Sequence, residues 1–360
     1  MITALEFYDE LRNTLFYLDT NHKIENEPIM LLETQIEMLR DFFCLQTKNF
    51  SDEQKKNLIV DVLEKPNSEN GKVYEALLYA WLEKQKICFT PQFHIEQESC
   101  FKTSKQGYDA DGVFEENNVV FDVKRFGLTL PHIEVLRRKL QDMMPEDYFL
   151  TISEGKNINA KDFQSDFLGK LDELKSKIME SKKIYTDYFY QEPKYGLEFR
   201  LWYKKESSIF TAISEFDPYE WAENNQFYFI YHASQFCINS SYILFCPYDR
   251  HLVPFFSDKG TAITALRTFC RRIFMNLTKM DKRFINEFDG KARNGISVAT
   301  AAKKISAIVF IDLSEDYNYE NCRTFVFQNP NADCKIPRYQ INSLFSYKGA
   351  MIETFEHDNY

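Results

Sequence analysis

The sequence lacks the segments that would take a protein into or across a membrane. No run of 18 or more apolar residues occurs, although a membrane-spanning helix needs about 20. The amino terminus, MITALEFYDELRNTLFYLD, carries acidic residues where a secretory signal peptide carries basic residues ahead of an apolar stretch. We therefore expect a soluble protein that is not exported and that lies in the cytoplasm.

The sequence also lacks the spacings that mark several common sites. Its eight cysteines include no Cys-x-x-Cys pair and its six histidines no His-x-His or His-x-x-x-His pair, so a zinc site or a Ser-His-Asp triad has little support. We expect ordinary buried thiols in a reducing compartment. The Gly-Lys at 71–72 has no glycine-rich loop before it, which argues against a P-loop.

Basic charge is scarce overall but concentrated in one segment. The net charge of −10 argues against a protein that coats nucleic acid by charge alone. Residues 261–304, however, contain ten lysines and arginines against three acidic residues, a local excess of +7. Within a predicted helix there, Arg267, Arg271 and Arg272 lie outside the apolar stripe. They form either a solvated helix face or contacts to nucleic-acid phosphates.

Length and composition allow a sizeable core. At 360 residues, 44% apolar and 16% aromatic, the chain can form one large domain or two ordinary ones. The first 60 residues have helical periodicity, which Pro, Asn, Ser and Gly interrupt at 64–72. The elements predicted next are a helix at about 70–86, strands at 87–96, 107–115 and 118–126, a helix at 131–144 and a strand at 147–153.

This order is αβββαβ, and EENN at 115–118 suits a tight turn between its second and third strands. The carboxy-terminal half is harder to interpret. Its aromatic residues at 185–231 are mostly expected in a core, with stacking on nucleobases as the alternative. The elements predicted there are a helix at 160–183, a strand at 195–203, helical segments to about 238, a strand at 242–248, a basic helix at 261–278 and a strand at 305–313.

Acidic residues interrupt two of the predicted strands. Asp109 and Asp111 begin one strand, and Asp122 and Lys124 lie near the end of the next. Because side chains alternate along a strand, each pair shares a face, and a turn at 115–118 brings the two strands together. Two carboxylates close together repel each other unless a positive charge lies between them. A divalent cation with oxygen ligands, such as Mg²⁺, satisfies that requirement.

Glu75 strengthens this interpretation. It lies in a helical stripe with Leu78, Tyr79 and Leu82, where an unpaired acidic side chain is costly. A simpler alternative remains for Asp122, because an acidic residue in a strand is often the ion-pair partner of a nearby basic residue such as Lys124.

Together these residues resemble the PD-(D/E)XK, or restriction-endonuclease-like, nuclease superfamily. The resemblance covers about residues 70–153: a helical Glu, an Asp at the start of one strand, an Asp-x-Lys triplet on the next, then a helix and a strand. It implies a site of Glu75, Asp111, Asp122 and Lys124, with the carbonyl of Val123 as a further metal ligand. Asp109 is the alternative to Asp111. The triplet has Asp where Glu is more frequent, and Ala110 stands where the family has Pro.

The resemblance implies Mg²⁺-dependent hydrolysis of phosphodiester bonds, with Mn²⁺ as a possible substitute and DNA as the expected substrate. Asp111, Asp122, Val123 and Glu75 would hold metal, Lys124 would position water or stabilise the phosphate, and Glu75 could instead hold a second ion or a water. RNA stays open as a substrate, as do endonuclease or exonuclease action and the oligomeric state. Restriction or anti-phage defence, alone or with a complex partner, is the setting that the family suggests.

The expected fold is therefore α/β, with a restriction-endonuclease-like αβββαβ core and a mixed sheet. The predicted divisions are a helical extension at 1–64, the nuclease core at 65–155 and an α+β region at 156–360 that packs on the core and contributes to nucleic-acid binding. Two other classes remain: a nucleic-acid-binding, sensor or scaffold module with this fold and no cleavage, and a structural protein. In the latter, arginines would satisfy Glu75 and Asp111.

Overall fold

A computed structural model gives the architecture of the chain. It describes residues 10–11, 13, 33–44, 47–64, 71–101, 107–124, 131–153, 167, 170–194, 197–204, 218–248, 259–280, 296–313, 324–345 and 350–355. None of the helices in these ranges is long and apolar enough to span a membrane. The cysteines whose side chains are described are free thiols. Cys100, Cys237, Cys246 and Cys270 are buried, as expected, whereas Cys334 is partly exposed and Cys88 is exposed.

Helices and strands are numbered in chain order. The helices are α1 (Glu33–Cys44), α2 (Asp52–Glu64), α3 (Gly71–Lys84), α4 (Pro131–Met143), α5 (Leu171–Met179), α6 (Pro218–Asn225), α7 (Lys259–Arg271), α8 (Val298–Lys304) and α9 (Arg338–Leu344). The strands are β1 (Thr90–Ile95), β2 (Tyr108–Phe114), β3 (Val119–Val123), β4 (Tyr148–Ser153), β5 (Lys182–Ile184), β6 (Asp187–Glu192), β7 (Leu197–Tyr203), β8 (Ser241–Tyr248), β9 (Ala307–Asp312), β10 (Thr324–Gln328) and β11 (Ala350–Glu353).

The larger sheet has seven strands in the order β1-β2-β3-β8-β9-β10-β11. Its β1, β2 and β3 are antiparallel, whereas β3, β8 and β9 run parallel to one another. The last two strands add one antiparallel and one parallel pairing. The predicted α/β class with a mixed sheet is thus confirmed. The middle strands read as nearly continuous apolar runs, such as YILFCPY in β8, because both faces of the sheet are covered.

Two groups of helices cover the two faces. The core on one face includes residues of α1, α2 and α3, and the core on the other includes residues of α6, α7 and α8. Helix α3 is buried at every position from Val73 to Leu82, as expected of a helix that is apolar on all sides. Glu75 is the one acidic residue within that stretch. The α3 helix therefore places a carboxylate inside the protein, beside the sheet.

A second, four-stranded sheet has the order β4-β7-β6-β5 and is antiparallel throughout. Helices α4 and α5 share its hydrophobic core. The predicted order αβββαβ is present along the chain as α3-β1-β2-β3-α4-β4, but α4 and β4 belong to this second sheet, and β8 takes the place beside β3. The reason lies in the strand patterns. The β8 strand is apolar on both faces, whereas β4 (YFLTIS) alternates like a strand covered on one side only.

The strands of the seven-stranded sheet come from both sides of residue 155. The predicted boundary at that residue therefore does not separate one sheet from the other. The helices before residue 65 likewise share a core with α3, so they pack on the same sheet. The restriction-endonuclease-like arrangement stays a prediction.

The hairpin between β2 and β3 has the predicted turn. A single 3₁₀ turn covers Glu115–Asn117, and Asn118 follows in the left-handed conformation with a φ of 49°. Just before the turn, Gly112 pairs with Phe121. A β-carbon at Gly112 would press against the Phe121 ring and lie 2.9 Å from the carbonyl oxygen of Thr90. Glycine is required here because three strands meet closely around it.

Gly112→Ala is expected to lower the free energy of unfolding by about 1–3 kcal/mol, as overpacking in a core does. Urea titration followed by circular dichroism measures it. Gly71→Ala is the control, since a β-carbon there meets nothing within 4 Å. Equal stability of the two variants would contradict the close approach at Gly112.

Candidate active site

Asp111 and Asp122 are joined through the backbone where β2 and β3 lie side by side. The backbone N–H of Asp111 donates to Asp122 Oδ1 at 3.0 Å. In return, the backbone N–H of Val123 donates to Asp111 Oδ2 at 2.6 Å. Each carboxylate therefore accepts a hydrogen bond from the backbone of the strand that carries the other carboxylate. The two side chains are held close together although both are acidic.

Asp122 is fully buried, with no exposed surface. The hydroxyl of Tyr108 donates to Asp122 Oδ2 at 3.2 Å, and the Tyr242 hydroxyl donates to the same atom. Burial and the nearby Asp122 charge raise the pKa of both tyrosines, so both stay protonated donors. An acidic residue is tolerated in this apolar strand because hydrogen-bond donors surround its carboxylate.

Lys124 lies next to Asp122 and is nearly buried. Its ammonium Nζ lies 3.5 Å from Asp122 Oδ2, and its side chain is 14% exposed. The same Nζ donates to Gln235 Oε1 at 3.1 Å. The simple ion pair is therefore present, but it is one contact within a larger network. Gln235 holds the Lys124 ammonium from a segment more than a hundred residues away.

Glu75 approaches the two aspartates through Tyr79. The Tyr79 hydroxyl lies 2.9 Å from Glu75 Oε1 and 2.6 Å from the backbone carbonyl oxygen of Asp111. One hydroxyl has one proton, and a carbonyl cannot donate. The one proton of the Tyr79 hydroxyl is therefore shared between the Glu75 carboxylate and the Asp111 carbonyl. Lys72 Nζ contacts the other oxygen of Glu75 at 2.6 Å.

The electrostatics show that these acidic groups act on one another. Burial raises the pKa of Asp111 well above its usual range, and repulsion from Glu75 and Asp122 adds to the effect. The Lys124 ammonium and the Val123 N–H oppose the rise. Burial also raises the pKa of Glu75, against the attraction of Lys72. The site therefore carries more acidic groups than its own cations neutralise.

The four residues predicted from the sequence, Glu75, Asp111, Asp122 and Lys124, thus come together. Asp109 does not join them, because its carboxylate is 75% exposed and contacts His94 Nδ1 at 2.6 Å. No arginine in the described residues pairs with Glu75 or Asp111. The geometry favours Asp111 over Asp109, and the arginine pairs expected of a purely structural role do not occur in this part of the chain.

Sequence reasoning missed several partners of the site. Lys72 and Tyr79 lie three residues before and four residues after Glu75, so helical spacing could have identified them. Tyr108 precedes the acidic pattern of β2 by one residue. No local signal points to Gln235 or Tyr242, because only the pairing of β8 with β3 brings their part of the chain to Asp122.

The predicted arginines lie elsewhere. Arg267, Arg271 and Arg272 line a depression of about 640 Å³ next to Tyr219, and none of the four site residues lines it. Arg267 Nε contacts Glu353 on β11 at 3.3 Å. Strand β11 is four strands from β3, or about 19 Å at ~4.8 Å per strand. The basic residues at 281–295 lie outside the described residues.

The donor set is compatible with a hard divalent cation. Among the described residues, no group of three His, Cys, Asp or Glu side chains is placed to hold a metal ion. Mg²⁺, however, needs only one or two protein carboxylates and keeps several waters. Asp111 is half-buried, and its Oδ1 accepts no hydrogen bond from the described residues. Asp111 and Asp122 meet this smaller requirement, because their carboxylates are adjacent, Asp111 Oδ1 accepts no hydrogen bond from the described residues, and the pKa of Asp111 is raised.

Comparison of the chain with protein-family models, with curated proteins and with solved structures finds no match.

The raised pKa of Asp111 predicts how stability changes with pH. Between its usual pKa and its raised value in the fold, the folded state holds the proton more tightly, so stability falls as pH rises. Asp111→Asn removes this cost and keeps an oxygen for the Val123 N–H. In EDTA near neutral pH we expect the variant to melt a few degrees above the wild type, with the gain shrinking towards pH 4.

Thermal melting at several pH values measures the difference in melting temperature between Asp111→Asn and the wild type. The control is Asp109→Asn, which changes an exposed carboxylate and should not raise the melting temperature. Added Mg²⁺ should raise the melting temperature of the wild type more than that of Asp111→Asn. A variant that is less stable than the wild type at every pH would contradict the account of repelling carboxylates.

Proposed function

We propose that this protein is a metal-dependent nuclease that hydrolyses phosphodiester bonds, with DNA as its substrate, and that it is related to the PD-(D/E)XK superfamily. One observation carries the proposal. Asp111 and Asp122, each bonded to the other's strand, lie beside the Lys124 ammonium, with Glu75 linked to them through Tyr79. A structural ion pair does not require this excess of acidic groups.

The proposed roles follow from the contacts. Asp111, Asp122 and the carbonyl of Val123 would hold Mg²⁺, with Glu75 as a further oxygen ligand or as a partner of a bound water. Bound there, the ion would supply Lewis-acid stabilisation of the phosphate and a more acidic water. Tyr108 and Tyr242 fix the Asp122 carboxylate, and Gln235 fixes Lys124.

Lys124 has the most direct role among the protein groups. Its ammonium lies beside the carboxylates and is held on one side by Gln235 Oε1. A fixed cation at that place stabilises negative charge that develops on the phosphate, and it needs little reorganisation during the reaction. It also orients a water for attack opposite the leaving oxygen. No covalent enzyme intermediate is required.

A second candidate is a nucleic-acid-binding or sensor module with a nuclease-like fold and no cleavage. The observation that favours it is the state of Asp122, whose two oxygens already accept hydrogen bonds from Asp111, Tyr108 and Tyr242. A carboxylate satisfied in this way is less available to a metal. Cleavage assays separate the two candidates, since both predict binding.

Lys124→Ala is expected to lower the cleavage rate at least about 100-fold, as the loss of one preorganised donor does. The assay uses plasmid, linear DNA and RNA with Mg²⁺, Mn²⁺ or EDTA. Asp109→Asn is the matched control and should cleave at the wild-type rate. Asp122 variants are poorer tests, because removing this buried acceptor leaves two tyrosine hydroxyls unpaired.

Wild-type cleavage in EDTA, or undiminished cleavage by a folded Lys124→Ala variant, would refute the site. Binding without cleavage in either metal would favour the sensor module.

The depression lined by Arg267, Arg271 and Arg272, here called the arginine depression, predicts an effect on DNA binding that is separate from cleavage. Arg271→Ala/Arg272→Ala should weaken DNA binding in EDTA and flatten its dependence on log salt by about 1 per lost phosphate contact. The Arg272 side chain is 23% exposed and its partner Glu223 62% exposed, so thermal melting checks that the variant is folded. Fluorescence anisotropy at several salt concentrations measures both quantities.

Lys55→Ala/Lys56→Ala on α2 is the matched control, since it removes the same charge from the opposite side of the sheet. An unchanged affinity and salt slope in the arginine variant would identify these arginines as a solvated helix face.

A further inference from the structure

Among the described residues, the apolar side chains of α4 and α5 pack on one face of the second sheet. Its core contains Leu150, Leu197, Phe199 and Leu201 together with apolar residues of α4 and α5. The side chains that alternate with these point to the other face. In the described residues of the four strands, that face carries Phe149 and Thr151 on β4, Glu198, Arg200 and Trp202 on β7, Asp187, Phe189 and Gln191 on β6, and Lys182 and Ile184 on β5.

The strand register places these side chains in neighbouring positions. Thr151 pairs with Arg200, Arg200 with Phe189 and Phe189 with Lys182, so the four form one row across the sheet. Phe149 pairs with Trp202 in the next row. We call Phe149, Phe189, Arg200 and Trp202 the aromatic patch. It spans three adjacent strands and presents rings and a cation beside the polar residues Asp187, Gln191 and Glu198 of the same face.

Contacts within the patch and with its neighbours hold these side chains. The Arg137 guanidinium carbon lies 6.0 Å from the centre of the Phe149 ring, and Arg200 Nη2 donates to Glu198 Oε2 at 3.4 Å. The Arg200 guanidinium carbon lies 5.2 Å from the centre of the Phe189 ring and 6.0 Å from that of Trp202. The indole N–H of Trp202 donates to Thr151 Oγ1 at 2.9 Å. The only hydrogen-bond donor of Trp202 is therefore used within the sheet. What the side chain offers to a ligand is its ring face.

A shallow depression lies beside the patch. Its volume is about 300 Å³, and its lining residues include Asp187, Phe189, Arg200 and Trp202. That volume is at the lower end for ligand sites and suits one flat group rather than a long ligand. Arg200 pairs with Glu198 at 3.4 Å but keeps 49% of its side chain accessible, so a planar ligand can reach the rings and the exposed part of the guanidinium.

The charge around the patch is only weakly positive. Residues 182–204 contain Lys182, Lys183, Lys194, Arg200 and Lys204 against Asp187, Glu192 and Glu198, which is five minus three, or +2. A surface that grips duplex DNA through its phosphates needs more basic charge than this. Rings with a few cations instead match the requirements of single strands, whose unpaired bases stack on aromatic side chains.

We propose that the aromatic patch binds single-stranded nucleic acid by stacking bases on Phe189 and Trp202, with Arg200 lying against a base or a phosphate. The inference rests on the proposed function for its ligand class, nucleic acid, and adds that the protein engages unpaired bases away from the carboxylates. Because stacking supplies most of the affinity, the salt dependence at this surface is shallow. Binding at the arginine depression is expected to depend more steeply on salt concentration.

The test is binding of labelled single-stranded and duplex oligonucleotides, DNA and RNA, by the full chain in EDTA, followed by fluorescence anisotropy. Phe189→Ala/Trp202→Ala is expected to weaken single-strand binding at least about tenfold, since it removes both rings on which bases would stack. Tyr339→Ala removes an aromatic side chain that is 71% exposed on α9 and should leave binding unchanged. Thermal melting checks that each variant is folded.

Trp202 fluorescence gives a second readout. The other tryptophans, Trp81 and Trp221, are 0% and 9% exposed, so a single strand stacked on the patch should quench chiefly Trp202. Trp202→Phe should keep most of the affinity and lose most of the quenching. Arg200→Ala, which leaves both rings in place, covers the case in which the double variant does not fold, and it should bind several-fold more weakly.

The outcomes separate this inference from the nuclease proposal. Wild-type affinity in a folded Phe189→Ala/Trp202→Ala variant, or equal affinity of the wild type for duplex and single strand with no quenching, overturns the patch whether or not the protein cleaves DNA. Loss of single-strand binding in that variant supports the patch even if the wild type cleaves nothing in Mg²⁺ or Mn²⁺, a result that would overturn the nuclease alone.

Discussion

The buried carboxylate of Asp122 constrains much of the larger sheet. Ionised carboxylates leave water only when donors replace the water that they lose. Those donors come from several parts of the chain: the Asp111 N–H on β2, the Tyr108 hydroxyl on the same strand, the Tyr242 hydroxyl on β8 and the Lys124 ammonium after β3. Strand pairing and carboxylate solvation therefore depend on each other, since a shift of either neighbouring strand would remove some of the donors to Asp122.

The parallel pairing of β3 with β8 connects this constraint to the rest of the chain. Strand β8 begins more than a hundred residues after β3 ends, and the second sheet with its helices lies in the chain between them. The pairing brings Tyr242 to Asp122, and the segment just before β8 supplies Gln235 to Lys124. Residues that complete the site thus come from beyond the region whose pattern suggested it.

The two sheets place their aromatic residues differently. In the larger sheet, aromatic rings pack inside, as in the contacts among Phe89, Phe114, Phe121 and Phe245. In the second sheet, Phe199 is buried while Phe189 and Trp202 are accessible on the other face. The expectation that the aromatics at 185–231 are mostly core residues therefore holds for one face of this sheet and fails for the other, because a sheet covered on one side leaves alternate side chains outside.

The sequence alone determined the local features, because they depend on neighbours in the chain. It predicted α3 with its acidic residue, the three antiparallel strands, the turn at Asn118, and the four residues that gather at the site. It also predicted the positions of β7, β8, α7 and β9. Their periodicities of 2 and 3.6 residues are visible over short windows. Only the tertiary structure decided that β8 and not β4 lies beside β3, and that Tyr242 and Gln235 complete the site. Strand partners and the side of a sheet that stays uncovered depend on contacts between distant segments, for which a local pattern carries no signal.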